Sequence, residues 1–141
     1  MLEPPARFRH YEQTIIEISL PDGLTTSTAP GELPAAALLD LLPLYVITAW
    51  NPAGEHLSDA ANHAAHSKML ELLRGVEPVG EPLLILDAIG RARSGSHYEP
   101  SVAVHGIART SAVNIGQELR QDAIFEITTD RTQVVPCRGW L

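Results

Sequence analysis

Apolar and polar residues alternate first across residues 14–20, Thr-Ile-Ile-Glu-Ile-Ser-Leu. Ile16, Ile18 and Leu20 fall on one side and Glu17 and Ser19 on the other, the period-two pattern of a half-buried strand. Pro21-Asp22-Gly23 is a turn signal, and the small polar stretch 25–30 reads as a loop. Residues 33–42 are rich in Ala and Leu, with Pro34 tolerated in a first helical turn. They predict a short helix ended by Pro43. Residues 44–50, Leu-Tyr-Val-Ile-Thr-Ala-Trp, are nearly all apolar and predict a central strand covered on both faces. Pro52 holds Asn51 extended and Gly54 permits the turn that stops this strand.

Ser58 supplies an N-cap and Asp59 a negative charge for a helix running to about Arg74. Ala61, Ala65, Met69, Leu72 and Leu73 share one face of it, and Gly75 fits its end. A strand at 83–89, a glycine-containing hairpin loop at 91–96 and a returning strand at 99–106 come next. Thr110 or Ser111 is expected to cap a helix reaching about Leu119. Residues 123–128 and 132–135 form a last hairpin around the turn 129–131. Helices interspersed with hairpins give an α+β class: a mixed or mostly antiparallel sheet packed with about three helices. The chain, residues 1–141, is expected to be one compact domain, with residues 1–12 and the extreme C-terminus as flexible ends.

Composition narrows the partners. The 141 residues carry a formal charge of −7, and only 5% are aromatic, so Leu, Ile, Val and Ala must build the core. Nine arginines and Lys68 are scattered along the chain, whereas a nucleic-acid surface needs clustered cations. No nucleic-acid partner is expected. Arg91 and Arg93 are close enough to hold one phosphate of a small ligand, but their commoner role is a solvated loop. Cys137 is the single cysteine, which excludes an internal disulfide and fits a reducing compartment. Met1-Leu2-Glu3-Pro4-Pro5 has no signal-peptide character, and no apolar run approaches the roughly 20 residues of a membrane helix. A cytoplasmic location without membrane contact is the expectation.

Candidate chemistry gathers at a few polar positions. Thr48 and Asn51 stand where a buried strand leaves the sheet, a favoured position for ligands. The bland alternative is that Asn51 makes a local turn with the backbone. Asn62 lies one helical turn after Ser58 and so faces the same loop, or simply extends the cap. His63 and His66 are three apart on a helix, within reach of one metal ion, but no third ligand stands at a usual spacing. No metal and no cofactor are expected. Along 98–105, alternation puts Glu99, Ser101, Ala103 and His105 on one face. Glu99 and His105 are roughly 20 Å apart at strand rise, so Glu99 with Ser101 is the workable pair. The bland alternative is a solvent-facing strand with Pro100 marking an edge. Gln121 either starts the following strand or turns a second amide toward a ligand.

These stretches also carry a resemblance. Ile47-Thr48-Ala49-Trp50-Asn51-Pro52, then Asn62, then Glu99-Pro100-Ser101, then Gln121 with Ala123-Ile124-Phe125, resemble the bacterial domain family DUF3293, over roughly residues 45–127. The family pattern has an aromatic two positions before the Glu-x-Ser unit, where this chain has His97. It also has a less bulky, uncharged residue where Arg120 stands. The family brings no assigned activity, so the resemblance points to residues and not to a reaction.

The leading expectation is therefore a cleft for a small polar ligand. Thr48, Asn51, Asn62, Ser101 and Gln121 bind it, and Glu99 is the acceptor or catalytic base. Hydrolysis or another proton transfer suits these groups better than redox chemistry, because no dinucleotide fingerprint or P-loop is present. The rival is a noncatalytic module for a protein partner or a homo-oligomer. In that reading the polar residues form a structural network and an exposed apolar patch does the work.

Overall fold

The computed structural model describes residues 8–52, 55–80, 82–93 and 98–137. Seven strands form one sheet, β1 (Thr14–Ser19), β2 (Thr25–Thr28), β3 (Leu44–Thr48), β4 (Leu84–Ala92), β5 (Tyr98–His105), β6 (Ala123–Ile127) and β7 (Thr132–Pro136). Their order is β2-β1-β4-β5-β3-β6-β7, and every neighbouring pair is antiparallel. The helices are α1 (Arg9–Glu12), α2 (Asp59–Arg74) and α3 (Arg109–Glu118), with a 3₁₀ helix at Ala36–Leu41. An α+β class with an antiparallel sheet matches the pattern read from the sequence; α2 and α3 are two of the three helices expected, the third expected helix, at 33–42, is not α-helical, and α1 was not foreseen. Among the described residues no helix is long and apolar enough to cross a membrane.

The sheet curls until its two edges approach. Thr28, at the end of β2, shares a 2.7 Å hydrogen bond with Thr132 at the start of β7. The backbone of Gly31 and Glu32 bonds Thr132 on both its N–H and its C=O. The inner face of the curl buries Ile16, Ile18, Leu44, Val46, Ala103, Phe125 and Ile127 with Phe8, Tyr11 and Leu38. The outer face buries Ile47, Val102, Val104 and Ile124 against Met69 and Leu73 of α2 and Ala112 and Ile115 of α3. Two apolar faces explain why the central strands read as nearly continuous apolar runs.

Several expectations need correction. Residues 25–28 are a strand and not a loop: Pro21-Asp22-Gly23 folds them back on β1, with Ile16 opposite Thr28. Polar Thr and Ser hid this strand, although β-branched Thr suits one. Within residues 33–42 only Ala36–Leu41 is helical, as a 3₁₀ helix instead of an α-helix, bounded by extended backbone at Ala35 and Leu42. Residues 8–12 are anchored, because Phe8 and Tyr11 are buried in the inner core; residues 1–7 and the end after Cys137 lie outside the described residues. The inward stripe of α2 passes through Asn62, Met69 and Leu73, leaving Ala61 exposed. Helix α3 starts at Arg109 without a side-chain cap, so neither Thr110 nor Ser111 has that role. Arg91 belongs to β4 and not to the hairpin loop. Pro100 lies in β5 between β4 and β3, so it does not mark an edge strand.

Candidate functional site

Strand β3 ends in a polar turn that is locked from within. The Thr48 hydroxyl donates to the Pro100 carbonyl at 2.9 Å and accepts from the Trp50 N–H at 3.1 Å. Asn51, expected to be extended before Pro52, instead takes a left-handed φ of 46°, which Asn tolerates better than most residues. Its amide is shared among three elements. Nδ2 donates to Glu99 Oε2 at 3.0 Å, and Oδ1 accepts from the Leu57 N–H at 3.2 Å and from Asn62 Nδ2 at 3.0 Å. Asn62 answers with its own Oδ1, which accepts the Asn51 N–H at 2.9 Å. Asn62 is 1% exposed and sits one turn into α2, whose first turn is capped by Ser58 accepting from the Ala61 N–H. The helix start thus holds the end of β3, and the end of β3 holds Glu99.

Gln121 arrives by another route. Helix α3 ends in a Schellman motif: the N–H of Arg120 bonds the Gln117 carbonyl and that of Gln121 bonds Gly116. Arg120 takes the left-handed position, φ 58°. This turn reverses the chain and sets Gln121 beside β3, where its Nε2 donates to the Trp50 carbonyl at 3.1 Å. Gln121 is 2% exposed, and among the described residues its Oε1 has no hydrogen-bond partner.

Between these groups the inner face of the sheet opens into a cavity of about 490 Å³. Thr48, Asn51, Glu99, Ser101 and Gln121 lie on its wall, with Val46, Ala123 and Phe125 as apolar neighbours. The volume suits a metabolite-sized ligand, for which pockets of about 300–1,000 Å³ are usual. Gly90 faces Glu99 across the β4–β5 ladder and leaves room beside it. A Cβ on Gly90 would meet only Thr14 Cγ2 at 3.5 Å and Ser101 Oγ at 4.0 Å. The Ser101 hydroxyl donates to the backbone carbonyl of Glu99 at 3.2 Å, so it offers the cavity its lone pairs.

Tyr11 of α1 closes one side, its ring 5.7 Å from that of Phe125. Burial pushes the Tyr11 phenol well above its ordinary pKa, and the negative charges of Asp122 and Glu99 push the same way against a backbone hydrogen bond from Ala123. The phenol stays protonated and remains a donor. Arg91 also touches the cavity, but its guanidinium is turned away. Its Nε lies 2.7 Å from Glu17, which alternates outward between buried Ile16 and Ile18. Arg91 therefore contributes backbone, and it is not the phosphate clamp its sequence position allowed.

Five of the six predicted residues thus line one cavity, although they are spread from Thr48 to Gln121. Asn62 stands behind Asn51 and off the wall. Thr48 is committed to backbone on both sides. Tyr11 and Gly90 were missed. Phe8 and Tyr11, aromatic and one helical turn apart, were the available signal for an anchored N-terminal turn. Nothing in the sequence marks Gly90 as a gap opposite a carboxylate. His105 is at the other end of β5, bonded through Nδ1 to the Leu41 carbonyl at 2.7 Å, and His97 lies outside the described residues.

Other polar clusters are built differently. Among the described residues no three His, Cys, Asp or Glu side chains are grouped as metal ligands. His63 packs edge-on against Trp50 at 5.3 Å, and burial lowers the pKa of His66. Cys137 is buried against α3. On the outer face Glu126 accepts from Arg109, Tyr45 and Gln133. The Arg109 hydrogen bond, above all, holds its carboxyl below the usual range. Tyr45 is pushed up to about 12, first by burial and then by its hydrogen bond to Glu126.

The model of a family described as a protein of unknown function (DUF3293) matches residues 47–124, more than half of the chain. The matched span runs through the end of β3, α2, β4, β5 and α3, and so includes the wall residues Thr48 to Gln121; Tyr11 lies outside it. No curated protein and no solved structure matches the chain.

Proposed function

The chain belongs to the DUF3293 family, and from the site enclosed by the matched span we propose that it binds a small polar ligand in the cavity of the inner face. One observation carries this reading: Asn51 holds the Glu99 carboxylate at the wall of a 490 Å³ cavity, while Asn62 and the α3 Schellman turn fix Asn51 and Gln121 around it. A network that served only the fold would pair its polar groups with one another. Here Gln121 keeps an acceptor without a partner among the described residues, against a wall with open space in front of it.

Glu99 is the primary contact. It accepts N–H or O–H groups of the ligand, and in a proton-transfer or hydrolytic reaction it is the group placed to take the proton. Ser101 is an acceptor and not a nucleophile, since its hydrogen goes to a backbone carbonyl and not to a base. Tyr11 supplies the opposing donor.

A thermal-shift screen of small polar metabolites tests the reading with two variants beside the wild type. Glu99→Gln keeps shape and an acceptor for Asn51, so its unfolding free energy should change by less than about 0.5 kcal/mol while ligand stabilisation is lost. Gly90→Val fills the space in front of Glu99 at a position where a Cβ meets only ordinary contacts. A ligand that stabilises the wild type and both variants equally is bound elsewhere, and the proposal then fails.

A further inference from the structure

Three neutral groups at the buried end of the cavity narrow the ligand class, on the reading that the cavity is a binding site. We infer that this end recognises an uncharged amide edge, a carbonyl beside N–H donors as in a primary carboxamide, carried on an apolar or aromatic body.

Gln121 supplies the first group. It is 2% exposed, and its Nε2 is committed to the Trp50 carbonyl, which decides which way the amide is turned. Its Oε1 has no partner among the described residues, yet it is not sealed off. The unpartnered side-chain atoms that are cut off from solvent there are Trp50 Nε1 and His66 Nδ1. What Oε1 opens on is the cavity, since Gln121 forms part of the wall. A fixed and buried acceptor facing open space calls for an N–H or O–H donor.

Tyr11 and Ser101 supply the other two. The Tyr11 oxygen takes a backbone hydrogen bond from Ala123, two residues beyond Gln121, and among the described residues no acceptor takes its hydrogen. Ser101 gives its hydrogen to the Glu99 carbonyl and keeps its lone pairs. The buried end thus offers two acceptors and one donor. A primary carboxamide brings two N–H donors and one carbonyl, the complementary set. Phe125, its ring 5.7 Å from that of Tyr11, and Val46 give this end its apolar surround.

The charged and titratable residues around the cavity are occupied or lie further out. Glu99, His56 and Asp122 each make a further contact. His10 and His56 are exposed, so they meet the outer part of a ligand, and the His10 ring packs on Tyr11 at 4.2 Å. The Arg91 guanidinium is with Glu17 on the other face of the sheet.

Benzamide, acetophenone and benzoate share one shape and differ at this edge, which is respectively an amide, a carbonyl with a methyl, and a carboxylate. Each is titrated into ¹⁵N-labelled protein, following the amides of Ser101, Gln121 and Ala123. Benzamide should shift these amides and bind about tenfold or more tightly than either analogue, because the analogues leave buried acceptors unpaired. The order should hold at about pH 6 and about pH 8, on the two sides of the ordinary imidazole range. A reversal between them would give the choice to His10 and His56 and overturn the inference. Gln121→Met should bring benzamide down to the level of acetophenone. Tyr11→Phe, which removes only the hydroxyl, should weaken both carbonyl probes alike, by about tenfold. If Gln121→Met loses its folded dispersion, Tyr11→Phe decides, and unchanged affinities there overturn the inference. Acetophenone or benzoate binding as tightly as benzamide overturns the amide preference and leaves the cavity as a binding site. Silence of all three probes at about 10 mM, beyond ordinary weak affinity, also overturns it, and the metabolite screen then decides on the cavity by itself.

Discussion

Asn62→Ala probes how the site is held without touching the cavity wall. Asn62 makes two good hydrogen bonds to Asn51, at 2.9 and 3.0 Å, and a weak one to the Leu57 carbonyl at 3.4 Å. Each good bond contributes about 1 kcal/mol net, and the Asn51 N–H left without its acceptor adds a desolvation cost within about 1–3 kcal/mol. Ala is the better helix former and returns about 0.6 kcal/mol. Asn51 is only partly buried, so water can replace some of what is lost. The balance is a destabilisation of about 2 kcal/mol. In urea this appears as a fall in the unfolding midpoint of roughly 1 M with an unchanged slope. The second readout is the position of Glu99, because the amide that steadies its carboxylate is no longer fixed from behind. The Glu99 and Ser101 amide resonances should shift, and a double-mutant cycle with Glu99→Gln should show coupling. A stability change under about 0.5 kcal/mol with both resonances unmoved would show that Asn62 does not hold the loop, and the chain of support from α2 to Glu99 would be wrong.

Three further outcomes are expected. Gly116→Ala puts a Cβ 2.5 Å from Cys137 Sγ and 3.0 Å from Ile124 Cγ2. An overpacking cost of about 1–3 kcal/mol then outweighs the roughly 1 kcal/mol of helix propensity gained; melting curves should show the loss, and most of it should vanish in a Cys137→Ala background. The Glu126 carboxyl has a folded pKa below the ordinary 4.5, so its stabilisation is full above that value and is lost as pH falls through the lower folded value. Arg109→Gln should remove about 1 kcal/mol of this acid-sensitive stability, discounted because Arg109 is 52% exposed, and should flatten the acid limb of a stability–pH curve. Arg120→Gly relieves a left-handed residue, worth about 1–2 kcal/mol, against about 0.5–1 kcal/mol of added chain entropy. Its ion pair to Glu55 is long and exposed and contributes little, so the melting temperature should rise by up to a few degrees.

The strands that bury both faces were legible because nearly every side chain in Leu44–Thr48 and Ala123–Ile127 meets a core. β2 was not, because four Thr and Ser residues at an edge carry a pairing signal in the backbone and almost none in hydrophobicity. The 3₁₀ segment failed differently: its composition is that of a good helix, and the extended residues at both ends cut it to six residues. The placement of Glu99 and Ser101 on the inner face followed from alternation alone, since Ala103 two residues further on is buried in the inner core. Their meeting with Gln121 did not, because it depends on a Schellman turn through Arg120, whose side chain gives no hint of a left-handed backbone.

The polar residues that stood out in the sequence have two physical jobs, and the hydrogen-bond accounting separates them. Thr48 and Asn62 spend their groups on backbone and on Asn51. They stiffen the end of β3, so replacing them should loosen the site before it changes what the site recognises. Ser101 and Gln121 each keep acceptor capacity on the cavity side, so replacing them should change recognition before stability. Asn51 belongs to both groups, with Oδ1 tied to Leu57 and Asn62 and one Nδ2 hydrogen committed to Glu99. A polar residue at the end of a buried strand is therefore weak evidence of a ligand contact by itself. What distinguishes a contact from a brace is whether the protein has already satisfied the group, and that can be counted only once the fold has brought α2, α3 and β5 to the end of β3.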